Sequence, residues 1–526
     1  MYRLFSVIGN VPGVVFLALA LGWLAPLPMA KATPDPATVG GVENTADGEE
    51  ALSFVNPGAR NVAVGFRALF SDYDGNDNTA AGFQALVNNH SGNSNTATGA
   101  SALQSNTADN NTATGFKALF SNATGINNTA TGVSALNGNV SHGYNTATGF
   151  QALQNADADD NTATGALALN SDTSGQFNTA TGVSALFSNT TGSQNTAGGV
   201  SALVFNVGGN NNTANGCQAL LKNTSGSNNT ATGTFALSSN TTAGNNTATG
   251  VDALFSNTIG SNNTANGGAA LQSNTTASNN TADGTFALFE NTTGAKNTAA
   301  GVDALENNTK GGSNVAVGYL AGQNLTTGSN NIDIGANVTG TAAEANTIRI
   351  GKQGTQKSTL IAGVFGTAVT GSTVVVSSTG KLGVATSSAR FKEAIKPMDK
   401  VSEALLALKP VTFRYKKEID PDKIPQFGLI AEDVEKVDPD LVMRDEEGQI
   451  TTVRYEAVNA MLLNEFLKEH QKFEEQRKAY EAKFAEQQKQ IETLGYCLKT
   501  QADQIQQVNA QLQLSQSAPT LVADRY

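Results

Sequence analysis

The residues able to do covalent or metal chemistry are few and scattered. The two cysteines, Cys217 and Cys497, lie 280 positions apart, a spacing that makes neither a disulfide framework nor a zinc site. The three histidines, His90, His142 and His470, form no metal-binding cluster, and the composition points to no cofactor and no metal. One hydroxyl–amine pair stands out, Ser387 and Lys392. A serine hydroxyl is a weak nucleophile and needs a base. No histidine, cysteine or aspartate constellation surrounds position 387, whereas Lys392 is five residues away. Lysine is a base only when neutral, so burial or a neighbouring cation such as Arg390 must lower its pKa. Five residues is too far round a helix for the two side chains to meet. The spacing therefore predicts an extended Ser387 and a bend before Lys392. The plainer reading of the same residues is a turn cap and a surface charge.

The elements that carry such residues follow from composition. The chain has 526 residues, a net charge of −12 and only 14% charged residues, against about a quarter in an ordinary globular chain. A negative chain without a basic block is a poor nucleic-acid binder. Residues 390–526 hold 20 of the 32 Lys+Arg and 24 of the 44 Asp+Glu. No proline occurs between Pro57 and Pro397, as expected of a continuous hydrogen-bonded ladder, to which proline cannot donate. The sequence thus divides into a long uncharged body and a charged C-terminal module.

At the N-terminus, Arg3, the apolar run from Val14 to Leu27 and the small-x-small triplet Ala30-Lys31-Ala32 fit a secretory signal over residues 1–32. The expected localisation is therefore exported, extracellular or at the cell surface. Residues 33–60 read as a linker.

The body is a repeat. The word Asn-Thr-Ala-Thr-Gly and its variants start at Asn61, Asn78, Asn95, Asn111 and onward to Asn314, with weaker copies at Asn331 and Asn346. The period is 17, with two slips to 16. A period this short allows one turn of a β-solenoid or β-roll per repeat, over residues 61–351. Two short strands per coil are expected, and eighteen coils at about 4.8 Å each give a rod of roughly 85 Å. Asn at word position 1 is expected to stack coil on coil through its amides. Ala and Leu at positions 8 and 9 recur in fifteen successive coils, from Ala68-Leu69 to Ala304-Leu305. Neighbours on a strand point to opposite faces, which favours one face filling the coil and the other packing on another chain. A turn between them that resets the alternation is the alternative. Position 6 is often apolar (Phe66, Phe83, Phe116, Val133), and Cys217 in that column reads as a small buried residue. The many Asn-x-Thr triplets fall out of the repeat and are read as ladder chemistry. Thr-Ala-Thr recurs in eight coils, which would make a Thr array of the kind that binds ice. Gly198, Asn215, Asn266 and Asp283 break it, so it is not taken as the function.

These coils resemble the head repeats of trimeric autotransporter adhesins and, more closely, the repeats of tail-fibre-like exported proteins. The resemblance implies a mostly β fold, a trimeric parallel β-roll. It departs at the C-terminus, where an autotransporter ends in a membrane barrel and this chain ends in a polar coiled-coil pattern.

Residues 352–386 read as a β transition segment with strands at Val374–Val376 and Leu382–Val384. Asp399 is expected to cap a helix to about Leu408, followed by short strands and a hairpin around Glu447-Gly448. From Glu456 to residue 516 a 3–4 spacing runs through Leu463, Phe466, His470, Phe473, Arg477, Tyr480, Phe484, Gln487, Ile491, Leu494, Leu498, Gln501, Ile505, Val508 and Leu512, a coiled-coil seam with polar breaks. His470 is expected to be partly buried in it. Residues 517–526 are a tail.

Residues 387–455 and the following coil resemble the intramolecular chaperone auto-processing domain of phage endosialidase tailspikes. The resemblance rests on Ser387-Ser388-Ala389-Arg390-Phe391-Lys392, Lys409-Pro410-Val411, Phe413, Tyr415, Phe427-Gly428-Leu429-Ile430-Ala431-Glu432-Asp433-Val434, Pro439-Asp440-Leu441-Val442 and Tyr455. Ser388 and Glu432 depart from the residues many members carry. The family implies a small α+β domain that trimerises, guides the folding of the fibre before it and cuts itself off. Its nucleophilic serine and lysine are five apart, which falls on Ser387 and Lys392. The implied partner is the chain itself, as a homotrimer, with a cell-surface glycan as a further ligand. A non-cleaving adhesin and a glycan-degrading tailspike are the competing readings. The second is disfavoured by the few acids in the body.

Overall fold

In the computed structural model the described residues are 43–516, apart from 55–56, 357, 363, 365–369, 378 and 446. The secretory-signal expectation and the tail lie outside them. Two compact units divide near residue 360.

The first unit is a parallel β-solenoid. Nineteen three-residue strands, β1 (Thr45–Asp47) to β19 (Ile348–Ile350), form one sheet in which each strand pairs in register with the next coil. Two strands per coil were expected; each coil has one, and the rest is turns. β1 adds a coil inside the stretch read as linker, and its word Asn44-Thr45-Ala46-Asp47-Gly48, with Ala51-Leu52, carries the same signal. Position-3 alanine points into the coil and is fully buried, as at Ala97 and Ala130.

The alanine–leucine pair corrects the expectation of two apolar faces. Ala68 and Leu69, Ala135 and Leu136 and their counterparts are all buried inside one chain. The reason is in the backbone: the leucine sits at a φ near 50° in coil after coil. This left-handed step swings its side chain to the side its alanine already occupies, so strand alternation does not apply. Ladder bonding continues through the turn, with Leu69 N–H donating to Ala85 O at 3.0 Å and Leu86 N–H to Ala102 O at 3.0 Å. Position 6, by contrast, faces outward. Phe83, Phe116 and Phe150 are about half exposed and Cys217 is exposed, so the buried reading of that column is corrected. Its residue follows the position-5 glycine, whose φ of +124° to +149° in β2 (Val62–Val64) to β18 (Ile332–Ile334) coils turns the chain away from the core. A Cβ on Gly99 would also lie 2.6 Å from Gly115 O.

Asparagine fills the rest of the interior. At position 1, Asn61 Oδ1 accepts the backbone N–H of Asn78 at 2.9 Å, and Asn61 Nδ2 donates to Gly75 O at 2.8 Å. This column mainly satisfies backbone groups. The amide-to-amide ladder lies at position 12, which the sequence reading passed over. Asn89 Nδ2 donates to Asp72 Oδ1, Asn106 to Asn89, Asn122 to Asn106 and Asn139 to Asn122. Ala156 then interrupts. A second ladder starts at Asp172, which accepts from Asn189 at 2.9 Å, and runs to Asn308, after which Leu325 takes the position. Both ladders begin with an aspartate and end on an asparagine whose buried Oδ1 has no partner, Asn139 and Asn308. At the C-terminal end, Asp333 and Arg349 replace the core alanine. Arg349 reaches both Asp333, at 3.4 Å, and Glu344, an ionic plug of the kind that closes a repeat stack.

The second unit starts with the antiparallel hairpin β20 (Val374–Val376) and β21 (Leu382–Val384). A single 3-10 turn covers Ala389–Phe391, and a longer 3-10 helix covers Asp399–Ala407, where an α-type cap at Asp399 was expected. Met398 is its N-cap, and no side-chain cap bond forms. β22 (Val411–Phe413) pairs with β23 (Gln426–Gly428), α1 spans Ala431–Val437, and β24 (Val442–Arg444) pairs with β25 (Ile450–Val453). The 62-residue helix α2 runs from Tyr455 to Gln516. Val434, Leu441, Val442, Val453 and Met461 form the core. Among the described residues no helix is long and apolar enough to cross a membrane.

Candidate functional site

Ser387 lies three residues after β21, and Ser388, the next residue, is extended. The 3-10 turn that follows is closed by Phe391 N–H to Ser388 O at 3.1 Å and Lys392 N–H to Ala389 O at 3.0 Å. It brings Lys392 back on Ser387, so that Lys392 Nζ donates to Ser387 Oγ at 3.1 Å. Both side chains are exposed. Arg390, in the turn between them, stacks its guanidinium over the Phe391 ring at 4.6 Å. Among the described residues the N–H groups of Ser388, Ala389 and Arg390 donate to no protein acceptor. A hydroxyl, an amine within hydrogen-bond reach and unengaged amides are the parts that acyl transfer requires.

The other motif segments converge on the module core. Tyr455, the first residue of α2, accepts the Leu429 N–H on its phenol oxygen at 3.1 Å. A Cβ on Gly428 would meet that oxygen at 2.8 Å, so the glycine of Phe427-Gly428-Leu429 makes room for the tyrosine. An open apolar groove of about 600 Å³ runs beside them, lined in part by Leu405, Leu408, Val411, Phe427 and Leu462.

Sequence reasoning missed a polar clasp. Ser402 is fully buried, and its Oγ donates to Glu465 while accepting from Asn464 Nδ2 at 2.7 Å and Lys468 Nζ at 3.2 Å. Lys468 also bonds Glu465 at 2.7 Å and, with Ser402's hydrogen bond, holds that carboxylate below the usual range. The clasp fastens the 3-10 helix to α2. Its members lie 62 to 66 residues apart, beyond any local period. It is a second serine–lysine contact, but its hydroxyl is sealed from solvent. His470 is exposed and stacks on Phe466 at 6.4 Å, and the expected seam residues, Phe466, Phe473, Ile491 and Leu494 among them, are exposed along α2.

No curated protein and no solved structure matches the chain. Residues 387–443, which begin at the serine of the Ser387–Lys392 pair, match the peptidase family described as the chaperone of endosialidase; the chain joins a parallel β-solenoid to such a chaperone segment, the arrangement of a tail-fibre-like structural protein.

Proposed function

We propose that this chain is an exported homotrimeric fibre whose C-terminal module guides trimer folding and then releases itself by Ser387–Lys392 autoproteolysis. The observation that carries the reading is the 3.1 Å contact between Lys392 Nζ and Ser387 Oγ at the start of the matched segment. Neutral Lys392 takes the hydroxyl proton as Ser387 Oγ attacks an adjacent main-chain carbonyl. The neighbouring amides hold the oxyanion, the peptide C–N bond breaks and the amine leaves with that proton. Water then hydrolyses the ester. Lysine acts as a base in this way only when its ammonium is desolvated, and assembly of three chains supplies that burial. The trimer itself is supported by apolar surface left exposed in the single chain: the outward position-6 column and the seam of α2. Exposed apolar residues along a rod also suit a surface ligand such as a cell-surface glycan.

The test is a denaturing gel with mass determination of fragments, alongside light scattering. Wild type should be three protomers and should split into a fibre ending near residue 386 and a module of about 140 residues, counted from Ser387 to Tyr526. Ser387→Ala and Lys392→Ala should each leave an uncut trimer. Splitting at this point in either variant, or a wild-type trimer that stays whole, overturns the dyad. A monomeric full-length chain overturns the assembly.

A further inference from the structure

The outward face of the solenoid strands is an ordered field of hydroxyls. Position 2 is threonine in fourteen successive strands, from Thr79 of β3 (Thr79–Ala81) to Thr298 of β16 (Thr298–Ala300). In the six strands from β4 (Thr96–Thr98) to β9 (Thr179–Thr181), position 4 is threonine as well. Twelve threonines therefore stand in two parallel columns, directly in register from strand to strand. Two sixteen-residue coils fall in this stretch, and the missing residue is taken out of the turns. Thr96 still pairs with Thr112, and Thr146 with Thr162.

These hydroxyls differ from the threonines at another position of the solenoid. At position 13, Thr173 Oγ1 donates to Thr190 O at 2.8 Å, Thr190 to Val207 O at 3.1 Å and Thr241 to Thr258 O at 3.0 Å. None of the twelve strand threonines has a protein partner for its hydroxyl among the described residues, and eleven of the twelve are exposed, Thr112 being half-buried. The two columns set hydroxyls about 4.8 Å apart across strands and about 6.6 Å apart along each strand, with a methyl beside every oxygen. Water in ice is likewise ordered in rows along two directions, so a hydroxyl lattice regular in both directions can seat such a layer. Methyl groups in the same field restrict the orientation of the water over them, and ordered water can bridge to each hydroxyl at little entropic cost. A charged group would break such a layer, and positions 2 and 4 of these six strands hold none. A sugar-binding face would instead present aromatic platforms, also absent from these positions.

We infer that the Thr96–Thr181 face binds ice through this hydroxyl lattice. The inference concerns the rod surface and is independent of cleavage and of trimer formation. It is tested on the full chain with thermal hysteresis and with partitioning into a slowly growing ice front. Wild type should shape ice crystals and enter the ice. The double variant Thr131→Tyr/Thr148→Tyr, at the centre of the field, should lose at least tenfold of the hysteresis with an unchanged circular dichroism spectrum. Thr124→Lys, exposed but outside the strands, should keep wild-type activity. A folded wild-type chain excluded from ice overturns the inference. So does a double variant as active as wild type, or a loss of activity equal in the Thr124→Lys control.

Discussion

Replacing Asp172 with asparagine should stabilise the solenoid at pH 8 and leave it almost unchanged at pH 4. Asp172 is fully buried, and burial pushes its carboxyl up to about 7 against the hydrogen bonds from Asn189 and the Gly175 N–H. An acid whose folded pKa is raised holds its proton in the native state while the unfolded chain gives it up. Between about pH 4 and pH 7 the native state therefore binds more protons, and stability falls as pH rises through that window. About three pH units at about 1.4 kcal/mol each give a loss on the order of 4 kcal/mol, complete above pH 7. Asparagine carries no such charge, and its Nδ2 can donate to the Gly175 carbonyl as Asn189 does to Gly192 O at 2.9 Å. What it gives up is the contact from Asn161 Nδ2 at 3.3 Å, a long hydrogen bond of about 1 kcal/mol at most. Denaturant unfolding of the full chain, followed by circular dichroism at pH 4, 6 and 8, reads the difference. Wild type should lose stability across the series, and Asp172→Asn should make the fall shallower. Asp72, buried at the head of the other ladder and also pushed up to about 7, retains its own slope in that variant. Unfolding midpoints of Asp172→Asn that fall from pH 4 to pH 8 as steeply as wild type would refute the reasoning. So would a loss of stability at pH 8.

Gly99→Ala should cost at least 2–3 kcal/mol, since its φ of +132° is strained for any Cβ and the methyl would strike Gly115 O; thermal melting checks it, and a neutral result would mean that the coils can spread. Tyr455→Phe should cost about 1 kcal/mol by leaving the Leu429 N–H without its acceptor, seen as faster amide exchange at Leu429 with the α2 signal intact. Deleting residues 456–516 should give insoluble solenoid, because stacked coils are prone to register slips unless the chains are first aligned; soluble, protease-resistant rods from that deletion would remove the chaperone role.

The period, the position-5 glycine and the position-3 alanine were legible because each is a local requirement repeated coil after coil. The fate of the leucine was not. Alternation is a rule about extended backbone, and Leu69 and its counterparts sit in left-handed backbone that no residue type announces. The position-12 column could have been found by the same count that found position 1, since Asn89, Asn106, Asn122 and Asn139 recur with the same spacing. At the candidate site, the bend between Ser387 and Lys392 follows from their separation, and their contact is local. The Ser402 clasp and the seat of Tyr455 on Gly428 depend on where α2 lies, which is settled by packing across dozens of residues.

The position-12 amides all point one way: each Nδ2 reaches toward the preceding coil and each Oδ1 toward the next. The stack is therefore directional, like a polymer with a growing end. A newly closed coil always offers bare acceptors to the segment synthesised after it, so assembly can follow the order in which the chain emerges. An aspartate is the natural primer for such a column, because it accepts from its successor and has nothing that must be donated backward. Leucine at position 325 and the Arg349 plug terminate it. The sequence thus encodes a rod of fixed polarity and a set number of coils, and its ordered interior cannot serve as a template for growth without end.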